Sequence, residues 1–132
     1  MNDTVREWIE KAEGDYLTAS REIEAREKPN FDAVCFHAQQ CVEKLMKAAL
    51  ICAGVTPPKV HDLVWLDQSM RSAWQEWSWS VEDLRFLSRA AVSFRYPGES
   101  ATFEEANESL QIAAGIRKKL LALLASTGEQ QS

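Results

Sequence analysis

At 132 residues, with 45% hydrophobic side chains that include five Trp and five Phe, the chain can close one core, which excludes a disordered segment. A net charge of −5 excludes a surface given over wholly to nucleic acid but leaves room for a local basic patch. No signal peptide opens the sequence and no apolar run reaches the ~18 residues of a membrane span, so a cytoplasmic, non-membrane protein is expected.

In chain order, Thr4 and Glu7 fit a capping box. From there Val5, Trp8, Ile9, Ala12, Tyr16, Ala19 and Ile23 form a helical stripe to about Ala25, with Gly14 as a candidate close crossing. Pro29-Asn30 offers a turn and an N-cap to the most informative run, Phe31 to Gly54. Its core stripe is Val34, Ala38, Cys41, Leu45, Ala48 and Cys52, widened by Cys35, Val42 and Ala49. Beside it His37, Gln40, Lys44 and Lys47 recur every three or four residues. All four donate hydrogen bonds, and two are cationic. The stripe reads either as a solvated flank or as a binding face. The three cysteines, odd in number and all in this helix, read as reduced packing residues.

Val55 to Lys59 holds two prolines and breaks the helix. His61 to Leu66 predicts a short helix with Asp62 at its N-terminal end and Leu63 with Leu66 or Trp65 turned inward. Trp74, Trp77 and Trp79 follow in a polar context and either cap the core or form a contact surface. Ser80 is a further N-cap, leading a helix with Val81, Leu84, Leu87, Ala91 and Phe94 on its apolar face. Arg95-Tyr96-Pro97-Gly98 ends that helix. A capping box at Thr102 and Glu105 opens the last helix, whose Arg117, Lys118 and Lys119 complement the C-terminal end of the dipole.

With no strand alternation, the expectation is all-α: an antiparallel up-and-down bundle of four long helices plus one short helix. Residues 1–126 would form this single domain and 127–132 a disordered polar tail. Five scattered glycines make no phosphate-cradling loop, and two histidines with three helical cysteines give no zinc spacing. Composition and spacing thus predict no cofactor, no metal site and no catalytic residues.

Several fragments in order resemble the HEPN family (higher eukaryotes and prokaryotes nucleotide-binding). They are Ala12-Glu13-Gly14-Asp15-Tyr16-Leu17-Thr18-Ala19, Cys35-Phe36-His37-Ala38-Gln39-Gln40 continuing to Ala48, His61-Asp62-Leu63, and Arg95-Tyr96-Pro97. The resemblance spans nearly the whole chain. It implies a helical bundle that is usually a homodimer, often working beside a minimal nucleotidyltransferase as a partner or in a toxin–antitoxin pair. Other members are metal-independent ribonucleases that use an arginine followed, after four to six intervening residues, by histidine. Here Arg95 is present, but Ser100, Ala101 and Thr102 occupy the histidine positions. Without a positioned imidazole the ribonuclease pattern is incomplete.

The first expectation is therefore a non-catalytic member binding nucleotide or nucleic-acid phosphate. Lys44 and Lys47 would supply charge, His37 and Gln40 hydrogen bonds, Arg95 a planar fork, and Tyr96 a stacking ring, with His61 as a further candidate. For Arg95 to Pro97 a simple helix stop is an equal reading. The alternatives are a protein–protein interaction module using the Trp74/Trp77/Trp79 region, and a ribonuclease with a degenerate Arg/His site.

Overall fold

The computed structural model describes residues 1–93 and 96–131, and side-chain statements here stop at Thr127. Phe94 and Arg95, assigned above to an apolar face and a phosphate fork, lie outside the described residues. Five helices account for the architecture: α1 (Asp3–Ile23), α2 (Phe31–Cys52), α3 (Leu63–Ala73), α4 (Val81–Ser93) and α5 (Phe103–Gln131). Among the described residues there is no strand. The fold is an all-α up-and-down bundle, with α3 as the short helix.

Helix α2 is the axis and touches each of the other four helices. This explains why its apolar positions wrap so far around it. Cys35, Val42, Met46, Ala49 and Leu50 are as fully buried as the principal stripe of Val34, Ala38, Cys41, Leu45 and Ala48. Leu45, Met46 and Leu50 each contribute about 1.5–3 kcal/mol by leaving water. Asn30 Oδ1 caps α2 by accepting from Ala33 N–H at 3.0 Å. Its far end closes with Gly54 at φ 80°. There Gly54 N–H donates to Ile51 O and Val55 N–H to Leu50 O, the paired bonds of a Schellman motif.

Three details differ from the sequence expectation. Helix α1 is capped by Asn2, whose Oδ1 accepts from Val5 N–H at 2.8 Å, so Thr4 already lies inside the helix. Asparagine two residues earlier satisfies the free donors first. Gly14 marks no close crossing, because a Cβ there would meet nothing within 4 Å. Helix α3 extends to Ala73, well beyond Leu66, with Leu63, Leu66 and Met70 buried and Trp65 56% exposed.

The Trp segment caps the core. Trp77 is 3% exposed and Trp74 and Trp79 are half-buried. Each indole N–H is used: Trp74 donates to Ala49 O at 3.0 Å, Trp77 to Asp67 Oδ1 at 2.7 Å and Trp79 to Asp83 Oδ2 at 3.0 Å. Trp77 and Trp79 stack with centroids 6.2 Å apart. Lys119 of α5 lies 5.3 Å from the Trp77 centroid and donates to Ser78 O at 2.7 Å. Arg117 forms a bidentate pair with Glu13 of α1 at 2.8 and 3.0 Å. These two cations therefore join neighbouring segments, and α5 runs on past the turn where they would have met a helix terminus.

At the opposite end, Thr102 and Glu105 form the expected reciprocal capping box, at 3.1 and 2.9 Å. Ala101 N–H donates to Asp32 Oδ1 at 2.7 Å, fastening the α4–α5 connection to the start of α2.

Candidate functional site

Two carboxylates that the sequence did not single out organise the polar residues of α2. Asp15 on α1 is 8% exposed. Its Oδ1 lies 2.8 Å from His37 Nδ1, and its Oδ2 accepts from Lys44 Nζ at 2.6 Å. Glu43 on α2 is 4% exposed. It accepts from Lys47 Nζ at 3.1 Å and from Gln39 Nε2 at 3.1 Å, and it lies 3.1–3.2 Å from His61 Nδ1. Burying a carboxylate is costly unless it is paired and hydrogen-bonded, and both are. Both lysine ammoniums of the expected phosphate site are thus engaged by acids inside the protein. Lys47 also approaches the Trp8 ring, at 5.9 Å.

The amide orientations follow from this arrangement. Gln39 Nε2 faces a Glu43 carboxylate oxygen and His61 O at 3.0 Å, and neither partner can donate. The Gln39 NH₂ must point at them, so its Oε1 faces outward and accepts from Gln40 Nε2 at 2.8 Å. Among the described residues Gln40 is left with its carbonyl oxygen and one N–H unpaired. Glu43 likewise turns the Nδ1 side of His61 inward, and the side chain is otherwise 84% exposed.

Gln40 and His61 line the wall of an open groove of about 1050 Å³ between α2, the start of α3, and α4. Phe36, Val64, Ala91 and Val92 give it an apolar lining, and Arg85 and Arg89 stand on the α4 side. Both arginines are exposed. Arg85 meets Glu82 at 3.5 Å on the surface, and Arg89 makes no ion pair among the described residues. Ser88 holds the two walls in register, its Oγ accepting from Leu63 N–H at 3.3 Å. The groove's acids, Asp62 and Glu82, sit at the N-terminal ends of α3 and α4, where helix dipoles offset their charge.

Of the seven residues the sequence nominated, Gln40 and His61 reach the groove. His37 and Lys44 meet on Asp15, Lys47 joins His61 on Glu43, and Tyr96 is 68% exposed just beyond α4. Arg95 lies outside the described residues. Sequence reasoning missed Asp15, Gln39, Glu43, Arg85 and Arg89. The four-residue spacing of Gln39, Glu43 and Lys47, and of Arg85 and Arg89, was the available signal.

The thiols do not join the site. Burial pushes Cys35 up and Cys41 up to about 12, which keeps both protonated. Among the described residues no group of three or more His, Cys, Asp or Glu side chains is arranged to hold a metal. Among the same residues no helix is long and apolar enough to cross a membrane.

No curated protein matches the chain. The crystal structure of an archaeal HEPN homologue superposes with a TM-score of 0.66 at 20% identity, covering 90% of this chain and 96% of that one. At that identity the likeness speaks for the fold. The HEPN domain family itself matches over residues 5–123, from the first turn of α1 deep into α5. With bundle and sequence match in agreement, the chain belongs to the HEPN domain family.

Proposed function

We propose that this chain is a non-catalytic HEPN-domain subunit that binds nucleotide or nucleic-acid phosphate. On this reading it acts in the cytoplasm as a homodimer beside a separate minimal nucleotidyltransferase, in a toxin–antitoxin-like pair. The observation that carries the binding part is the groove: two exposed arginines and the Gln40 amide, which keeps its carbonyl oxygen and one N–H beyond its bond to Gln39, line it beside an apolar surface, on a chain of net charge −5. An apolar surface with a few convergent polar groups suits a small polar ligand with a flat hydrophobic part. Arg85 and Arg89 would form the phosphate side, and Tyr96, exposed beyond α4, would supply a stacking ring. His37 and Lys44 would join α2 to α1 through Asp15, and Lys47 would neutralise Glu43 within α2.

The non-catalytic part rests on the residues following Arg95, none of which is a histidine at the ribonuclease spacing. The interaction-module alternative loses its support, because Trp74, Trp77 and Trp79 turn their indoles into the protein.

Recovery of the tagged protein from its native cells tests the partnership, with mass spectrometry for companions and light scattering for size. A stoichiometric small nucleotidyltransferase with a dimer of this chain is the expected result. Repeated recovery of the chain alone overturns the partner. RNA cleavage by the purified chain that disappears in Arg95→Ala overturns the non-catalytic assignment.

A further inference from the structure

The fixed amide polarity of Gln40 narrows the ligand. Glu43 and the His61 carbonyl dictate the orientation of Gln39, and Gln39 dictates that of Gln40. The groove therefore receives one amide acceptor and one N–H from the same side chain. A glutamine fork of this kind is complementary to adenine, which offers an amino donor beside a ring-nitrogen acceptor; cytosine offers the same pair on a single ring, which covers less of the apolar lining. Guanine's corresponding edges offer two acceptors or two donors and leave one partner unpaired, which costs affinity when water is excluded.

The same groove offers a platform for the ring in Phe36, Val64 and Val92, and the opposite wall offers charge. Arg89 has no ion-pair partner among the described residues, and Arg85 sits one helical turn away with only the surface Glu82 to leave. Two guanidinium forks four residues apart on one helix are neighbours, at a spacing that suits one phosphate group. We infer that the α2–α4 groove is a binding site for an adenine nucleotide unit, with its base on the Gln40 side and its phosphate on Arg89 and Arg85. This rests on the nucleotide-binding reading above and adds to it the site, the base and the phosphate ligands. Free adenosine phosphates and an adenine within single-stranded RNA both carry this chemistry.

Calorimetric titration of the full-length protein with AMP, ATP, GMP, CMP and a short oligoadenylate separates the outcomes. AMP or ATP is expected to bind at least tenfold more tightly than GMP and more tightly than CMP, and CMP as tight as AMP overturns the adenine assignment. Oligoadenylate tighter than AMP at equal adenine concentration points to RNA as the source, and the reverse to the free nucleotide. Arg89→Ala should weaken every nucleotide about tenfold, the loss of one charge-assisted hydrogen bond, without moving the adenine preference. Gln40→Leu should erase the adenine preference while leaving GMP binding within twofold. Arg89 is exposed, so its variant isolates charge from folding. Nucleotide binding that ignores both substitutions overturns the groove assignment and leaves the nucleotide-binding reading standing. Equal affinity for AMP and GMP, with Arg89 sensitivity retained, overturns the adenine assignment. Absence of binding by all five ligands overturns both.

Discussion

Asp15 and Lys44 are joined by a 2.6 Å hydrogen-bonded ion pair that crosses from α1 to α2 with both side chains mostly withdrawn from water. Asp15→Ala leaves the ammonium without its counter-charge and His37 without its acceptor. A loss of about 2–3 kcal/mol is expected, below the cost of a fully buried pair because Lys44 retains some solvent access. Thermal unfolding should show a Tm lower by about 6–12 °C. Asp15→Ala combined with Lys44→Met should cost less than the sum of the single changes. Strict additivity would mean that the pair is energetically idle.

Gly14 of α1 and Gly115 of α5 should respond in opposite ways. Gly14 lies in a helix interior with open space where a Cβ would go, so Gly14→Ala should stabilise by about 0.5–1 kcal/mol through helix propensity alone. At Gly115 a Cβ would come within 3.1 Å of Trp79 Cη2 and 3.4 Å of its Cζ2. That ring is held by its stack on Trp77 and by its bond to Asp83, so it cannot give way cheaply. Gly115→Ala should therefore lose its propensity gain and destabilise by about 1 kcal/mol. Urea denaturation of the two variants decides the matter, and a stabilised Gly115→Ala would show that the ring moves freely.

Cysteine chemistry offers a pH signature. Cys41 is held up to about 12 by burial, against an ordinary value of 9.0. Because the unfolded thiol ionises first, the unfolded state binds fewer protons above about pH 9. The stability that this protonated thiol contributes is fully present below pH 9 and falls as pH rises toward 12. Cys41→Ala should abolish that part of the alkaline decline. In the native protein at pH 8 a thiol reagent should modify Cys52 first, since it is the one cysteine that is not fully buried. Equal reaction of all three would contradict this.

Local chemistry was legible in the sequence and tertiary pairing was not. The cap at Asn30, the stop at Gly54 and the box at Thr102 and Glu105 depend on neighbours within a turn, and each forms where its residues lie. The stripe of His37, Gln40, Lys44 and Lys47 was seen as one face, but His37 and Lys44 meet on Asp15, Lys47 on Glu43 and Gln40 on Gln39. That His37 and Lys44 reach Asp15 depends on α1 packing across α2, a relationship no window within one helix contains. Asp15 looks like any carboxylate on a charged helix until that packing buries it. The spacing of Arg85 and Arg89 was visible but not its use, because an exposed cation becomes part of a groove only when a second wall stands opposite.

The two longest stretches of chain between neighbouring helices up to α4, apart from the proline turn, differ in how they can come loose. Residues 24–30 are largely exposed, include Lys28 at a left-handed φ of 45°, and are held mainly by Asn30 N–H on Glu22 Oε1. Residues 74–80 carry three indoles bonded to α2, α3 and α4, with Lys119 of α5 fastened over them. The first can open by itself, whereas the second can open only by releasing four helices together. A protease should accordingly nick the α1–α2 connection first, and amide exchange in the tryptophan segment should track global unfolding although it contains no helix.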